Sequence, residues 1–123
     1  MARAVTFTFA VPPFEVYKTL RAQTSWTMPS DDDIALALRN TRAGIYSAQG
    51  RIPAAMARVI GDGAISLHIV DVVVAKDQRG QGIGAQMMGA LIRNLQVQYS
   101  PSASVTLMAA KGQAGFYTRL GFT

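Results

Sequence analysis

The sequence predicts an α/β fold: one mixed sheet with helices on both faces, in the order β-α-α-β-β-β-α-β-α. Three observations carry this. Apolar residues alternate in short runs separated by glycine turns. One run, Ile65 to Val74, is almost continuously apolar, as expected of a strand covered on both faces. The stretch after Gly82, from Ile83 to Leu95, instead repeats its apolar residues with the period of a helix.

Taken in order, Arg3 to Ala10 alternates Val5, Phe7 and Phe9 and is expected to form a strand, broken by Pro12 and Pro13. Pro13 suits the opening of a helix over roughly Phe14 to Ala22. A loop with Trp26, Met28 and Pro29 leads to Ser30, whose hydroxyl can cap a second helix running to about Asn40. Asp31, Asp32 and Asp33 place negative charge in its first turn. Three strands follow: Ala43 to Ala48, Ile52 to Ile60 and Ala64 to Ala75. Gln49-Gly50 and Gly61-Asp62-Gly63 provide the turns between them. The long helix carries Ile83, Met87, Met88, Leu91, Ile92 and Leu95 on one face, and Gly89 inside it predicts close packing at that point. Val105 to Ala109 is a strand, Gly112 to Leu120 a short helix, and Gly121 its stop.

The chain has 123 residues, which fits a single domain over 1–123. Half of its residues are apolar and 15% are charged, so a core can be buried. No apolar run approaches the roughly 20 residues of a membrane-spanning helix, and the N-terminus lacks the apolar block of a signal peptide. A cytoplasmic protein without a membrane partner is the expectation. The absence of Cys excludes a thiolate nucleophile, a disulfide and a Cys-ligated metal, and one His excludes a multi-histidine metal site. The +5 net charge is dispersed, without a basic stripe interleaved with aromatics, which argues against a nucleic-acid partner. No acidic residue follows Asp77, so the last 46 positions present only cations and dipoles to an anionic ligand.

A strand followed by the polar loop Lys76-Asp77-Gln78-Arg79, then Gly80-Gln81-Gly82-Ile83-Gly84 and a helix, is a device for holding phosphate. Glycines let the main chain approach the ligand, N–H groups converge, and the helix N-terminus adds partial positive charge. A Walker A loop fails because no Lys follows Gly80 in the loop. Gly80, Gly82 and Ala85 satisfy a dinucleotide fingerprint. However, residues 78–123 lack the acid that would hold the ribose.

Arg79-Gly80-Gln81-Gly82-Ile83-Gly84 also matches R/Q-x-x-G-x-G/A, and here the chain resembles the GCN5-related N-acetyltransferase family. Asp71-Val72-Val73-Val74 looks like that family's central strand. Phe116-Tyr117-Thr118-Arg119-Leu120-Gly121-Phe122 looks like its Phe-Tyr-x-x-Leu-Gly-Phe signature. The resemblance covers residues 43–123 well and 1–42 loosely. It implies a mostly antiparallel central sheet and transfer of acetyl from acetyl-CoA to a primary amine, expected to be a small molecule. The main chain of Arg79, Gly80, Gln81, Gly82, Ile83, Gly84 and Ala85 would hold the pyrophosphate. The main chain of Val72, Val73 and Val74 would meet the pantetheine arm, which a splay between the strands near Val74 and Val105 would admit. Relatives carry a further strand or hairpin beyond the signature, whereas this sequence ends at Thr123. The expectation is therefore a truncated or absent final strand, with homodimerisation or further residues covering the edge.

The resemblance also assigns chemistry. Tyr117 matches the family tyrosine that protonates the leaving thiolate, and an ordinary phenol near pKa 10 is suited to that donor role. His68, the only imidazole, lies six residues before Val74, where several family members place a general base. Strict alternation puts His68, Val70, Val72 and Val74 on one face. Asp71 is either a second proton acceptor or the partner of a basic residue, with Arg58 and Lys111 as candidates. Lys111 is alternatively a contact for a phosphate of CoA. Asp31, Asp32 and Asp33 are helix-capping residues or an attraction for a cationic amine. Rival readings are protein N-acetylation, a CoA-binding regulatory module without turnover, and a nucleotide-binding module.

Overall fold

The computed structural model describes residues 5–107. Its elements are α1 (Phe14–Arg21), α2 (Asp31–Arg39), β1 (Ala43–Gln49), β2 (Ile52–Gly61), β3 (Ser66–Val74), a 3-10 turn (Lys76–Gln78), α3 (Ile83–Gln98) and β4 (Ser104–Leu107). The sheet runs β1-β2-β3-β4. β1, β2 and β3 pair antiparallel, and β4 lies parallel to β3. The parallel pair follows from the α3 crossover, because parallel neighbours need a long connection and antiparallel ones only a short turn.

Both faces of the sheet are covered. On one, Ile45, Ala57, Val59, Leu67 and Ile69 pack with Ile83, Met87, Met88, Leu91 and Leu95 of α3. On the other, Met56, Val73 and Ala75 pack with Tyr17 and Leu20 of α1 and Ile34 of α2. Each large apolar side chain removed from water in this way contributes about 1.5–3 kcal/mol. The α3 residues therefore anchor the helix firmly, and with it the turn that opens it. Ser30 caps α2 as expected, accepting from the Asp33 N–H at 3.2 Å. No helix among the described residues is long and apolar enough to cross a membrane.

Three expectations need correction. The first strand, expected over 3–10, is reduced among the described residues to one β-bridge. Thr8 and Tyr46 exchange both hydrogen bonds, at 2.8 and 3.0 Å. The cause lies at Gly44, where an added Cβ would stand 2.8 Å from the Ala10 carbonyl oxygen and 3.0 Å from Pro12 Cδ. The chain crosses tightly over β1 there and leaves its edge.

β3 begins at Ser66 rather than Ala64. The Asp62 carboxylate takes the N–H groups of Ala64, Ile65 and Ser66 at 2.8–3.0 Å, holding them in a turn instead of a ladder.

Among the described residues Gly89 is not closely packed: an added Cβ would meet only the end of the Arg93 side chain, at 3.4 Å. The strand and helix expected over 105–109 and 112–120 extend beyond the described residues, of which β4 is the last element.

Candidate active site

The site is built where β3 stops being regular. Val70 pairs with Arg58 and Val73 with Met56, so Asp71 and Val72 together stand opposite Ala57. This is a β-bulge, and Asp71 takes φ +54°, the only non-glycine residue with positive φ among those described. Asp is one of the few side chains that tolerates this conformation.

The bulge reverses the phase of the strand. Before it, Leu67 and Ile69 face α3; after it, Val72 and Val74 pack on the α3 side and Val73 on the α1–α2 side. The expected common face of His68, Val70, Val72 and Val74 is therefore wrong. His68 pairs with Ile60 and Val70 with Arg58, on the face opposite Val72 and Val74. One extra residue suffices, because the side-chain period of a strand is two.

Asp71 is held from three directions. Arg58 Nε donates to Oδ2 at 2.8 Å, the Tyr17 hydroxyl donates to the same oxygen at 2.9 Å, and Arg21 Nη1 approaches Oδ1 at 3.4 Å. The Asp71 and Arg58 side chains are each only 12% exposed, where an unpaired charge would be costly. Arg58 continues to Thr41 Oγ1 at 2.7 Å, and Arg21 Nη1 to the Tyr17 hydroxyl at 2.8 Å. Burial, followed by the negative charge of Asp71 and the hydrogen bond to it, raises the Tyr17 pKa above its ordinary value. Tyr17 thus remains a donor at neutral pH. Arg58 was one expected partner of Asp71. Tyr17 and Arg21 were missed, although their i, i+4 spacing on α1 puts them on one helix face and an Asp inside an apolar run calls for donors.

The glycine loop has a different character. Gly80 and Gly82 adopt φ +81° and +79°, and a Cβ at either would meet nothing within 4 Å. Their backbone needs glycine, yet among the described residues no atom fills the space beside them. Gly82 caps α3 in the left-handed conformation without a side-chain hydrogen bond, and the first turn of α3 holds no acidic residue. Ile83 is buried and pins the helix start, while Arg79, Gln81 and Ala85 are exposed and Gly84 is half-buried. Arg79 folds back, Nε donating to the Val74 carbonyl at 3.1 Å. Main-chain groups suited to an anionic ligand are thus presented by a rigid turn.

Among the described residues, β3 pairs with β4 only from Ser66 to Ile69, so Asp71 to Val74 have a strand neighbour on one side, β2. His68 is exposed, its Nδ1 hydrogen-bonded with Thr106 Oγ1 of β4. Asp31 binds Lys18 at 2.8 Å, and Trp26 and Met28 are each 37% exposed. Tyr117 and Lys111 lie outside the described residues.

The acetyltransferase (GNAT) domain family matches residues 39–123. The chain belongs to the GNAT acetyltransferase family. It is similar to GCN5-related N-acetyltransferase 1, chloroplastic, of Arabidopsis thaliana, with 36% identity over 91 residues, covering 72% of this chain and 45% of that protein. It is also similar to the uncharacterized N-acetyltransferase ycf52 of Gracilaria tenuistipitata var. liui. Here identity is 36% over 66 residues, covering 54% of this chain and 35% of that protein. This GNAT domain thus spans less than half the length of both relatives. Among solved structures, a probable acetyltransferase of unknown function from meticillin-resistant Staphylococcus aureus superposes with a TM-score of 0.86. It is 27% identical, and the match covers 98% of this chain and 90% of that one. A GNAT family protein from Streptococcus pneumoniae, 23% identical with a TM-score of 0.80 and coverages of 98% and 88%, shares the fold.

Proposed function

We propose that this GNAT domain binds acetyl-CoA and transfers the acetyl group directly to the primary amine of a small molecule. The observation that carries the proposal is the pair of left-handed glycines, Gly80 and Gly82, opening a helix whose start has no side-chain cap and beside which no described residue places an atom within 4 Å of an added Cβ. A diphosphate needs a close main chain, converging N–H groups and no competing carboxylate, and the residues present fit it. In this reading the amides of Arg79 to Ala85 bind the diphosphate, with Lys111 as a further phosphate contact. The Val72–Val74 main chain, still without a second strand neighbour among the described residues, meets the pantetheine arm.

The acyl donor supplies an activated thioester; the protein supplies placement and proton handling. Holding amine and thioester together can account for several kcal/mol of the barrier, since a bimolecular encounter becomes intramolecular. The amine nitrogen bonds to the carbonyl carbon, the carbon–sulfur bond breaks, and the proton lost by nitrogen must leave. His68 is the assigned proton acceptor, supported by its exposed ring and the hydrogen bond with Thr106 that orients it. Tyr117 is the assigned donor to the thiolate. Asp71, already bound to Arg58 and Tyr17 with Arg21 beside it, serves better as a positioning residue than as a second proton acceptor.

The test is thermal stabilisation by acetyl-CoA, CoA, NAD and ATP, followed by an amine panel with detection of free thiol. Ligand at about 100 times its Kd adds about 2.7 kcal/mol of stability. Acetyl-CoA and CoA are expected to raise Tm, with NAD and ATP inert at the same concentration. Stabilisation by NAD or ATP but not by acetyl-CoA would overturn the reading in favour of a nucleotide-binding module.

A further inference from the structure

Two side chains from the end of α1 grip the chain on either side of Val72–Val74. Arg21, the last residue of α1, reaches Asp71 and the Tyr17 hydroxyl with Nη1. Gln23, two residues on, accepts the Lys76 N–H on its Oε1 at 2.8 Å. One tie falls just before the three valines and the other just after them. The turn that carries both ties is itself fixed. Ala22 N–H donates to the Lys18 carbonyl, Gln23 N–H to Leu20, and Thr24 N–H to Arg21, at 3.0–3.1 Å, and Leu20 is fully buried. Arg21 also donates through Nε and Nη2 to the Thr27 carbonyl, at 3.0 and 2.9 Å, so the guanidinium is clamped on both sides.

We propose that the last turn of α1 is a clamp for the donor-binding edge of β3, with Arg21 and Gln23 as positioning residues. The inference rests on the acetyl-CoA reading above and identifies what holds that edge in place. Among the described residues Asp71 to Val74 have a ladder on one side only, so side-chain ties as well as that ladder set where the strand changes phase. The Arg21 tie adds to Arg58 and Tyr17 in fixing where the irregularity begins, and the Gln23 tie fixes where the strand gives way to the 3-10 turn and the glycine loop. A main chain held before the ligand arrives loses less freedom on binding, and this appears as affinity. Neither residue needs to touch the ligand.

The test uses Gln23→Met, which keeps the length and removes the acceptor, and Gln23→Glu, which keeps an acceptor. Arg21→Lys, which keeps the charge but cannot reach Thr27 and Asp71 together, is the companion variant. Acetyl-CoA is titrated calorimetrically, and the Tm of the unliganded protein and amide exchange at Lys76 are followed alongside. Gln23→Met and Arg21→Lys are expected to weaken acetyl-CoA binding about fivefold through lost preorganisation, with little change in unliganded Tm. Gln23→Glu is expected to restore wild-type affinity. Lys76 exchange should quicken in Gln23→Met and not in Gln23→Glu. Unchanged affinity in Gln23→Met, or affinity falling in step with Tm in all three variants, would overturn the proposal. If the wild type takes up no acetyl-CoA, the acetyltransferase reading fails. Lys76 exchange then still judges the clamp, since it needs no ligand, and unchanged exchange in Gln23→Met removes it.

Discussion

Arg58 and Asp71 meet at 2.8 Å, Nε to Oδ2, across the one point where β2 and β3 fall out of step. The pair joins a charge that needs burial compensation to a backbone that needs an anchor. Asp71 bears the positive φ, and Arg58 extends from the neighbouring strand through to Thr41 at the end of α2. Breaking a buried pair from one side leaves the other charge uncompensated. Arg58→Ala is therefore expected to destabilise the domain by about 3 kcal/mol, read from the midpoint of urea unfolding. A loss of under about 0.5 kcal/mol, the level of an ordinary surface substitution, would show that Tyr17 and Arg21 satisfy the carboxylate unaided.

Gly89 and Gly82 are expected to respond in opposite directions. Gly89 lies within α3, and among the described residues Arg93 is the only neighbour an added Cβ would approach. Gly89→Ala should stabilise by up to about 1 kcal/mol, because Ala loses less backbone freedom on entering a helix. Gly82→Ala, at φ +79°, should cost about 1–2 kcal/mol in the unliganded protein. Thermal or urea unfolding of both variants checks the pair; destabilisation by Gly89→Ala would mean that α3 is more tightly packed than its geometry indicates.

Asp62 provides a pH dependence. N–H groups of Ser66, Ala64 and Ile65 donate to its carboxylate and lower its pKa from 3.8 to about 2. A carboxyl depressed on folding stabilises in full above its unfolded pKa and loses that contribution as pH falls through the folded value. The stability difference between wild type and Asp62→Asn should be constant at neutral pH, then shrink below about pH 4 and level off below pH 2. A difference independent of pH between 7 and 2 would contradict the assignment of these hydrogen bonds to the charged form.

His68 is an exposed residue of β3 and sits beside Thr106 of β4. If its ring accepts the proton from the amine, kcat/KM in wild type falls on the acidic side of its profile, because a ring that already carries the proton cannot take another. His68→Ala should lose that acidic limb, with activity down by about a hundredfold, the ordinary lower bound for a general base. A variant that keeps the limb would assign the ionisation to the amine substrate or another group.

Much of the fold was legible because each signal was local. The helix period after Gly82, the cap at Ser30 and the glycine turns between strands act within a few residues. The failures share a different cause. The bulge at Asp71 reverses Val72 and Val74 relative to His68, and alternation counts residues without knowing where one is left over. Likewise, Gly44 breaks the expected first strand through a crossing with residues more than thirty positions earlier. The glycine loop could be read from the chain itself. The pairing of Arg21, Tyr17 and Gln23 could not, because their partners Asp71 and Lys76 lie about fifty residues away; the helix spacing of Tyr17 and Arg21 marks a shared face but names no partner.

Calorimetric titration of acetyl-CoA into wild type and Gly82→Ala tests the central assignment most directly. The account predicts saturable one-to-one binding to wild type. It also predicts affinity in Gly82→Ala at least about tenfold weaker, or 1.4 kcal/mol, because a Cβ would project into space reserved for the ligand. Heat of binding absent from wild type, or a Gly82→Ala variant that binds acetyl-CoA as tightly, would contradict it.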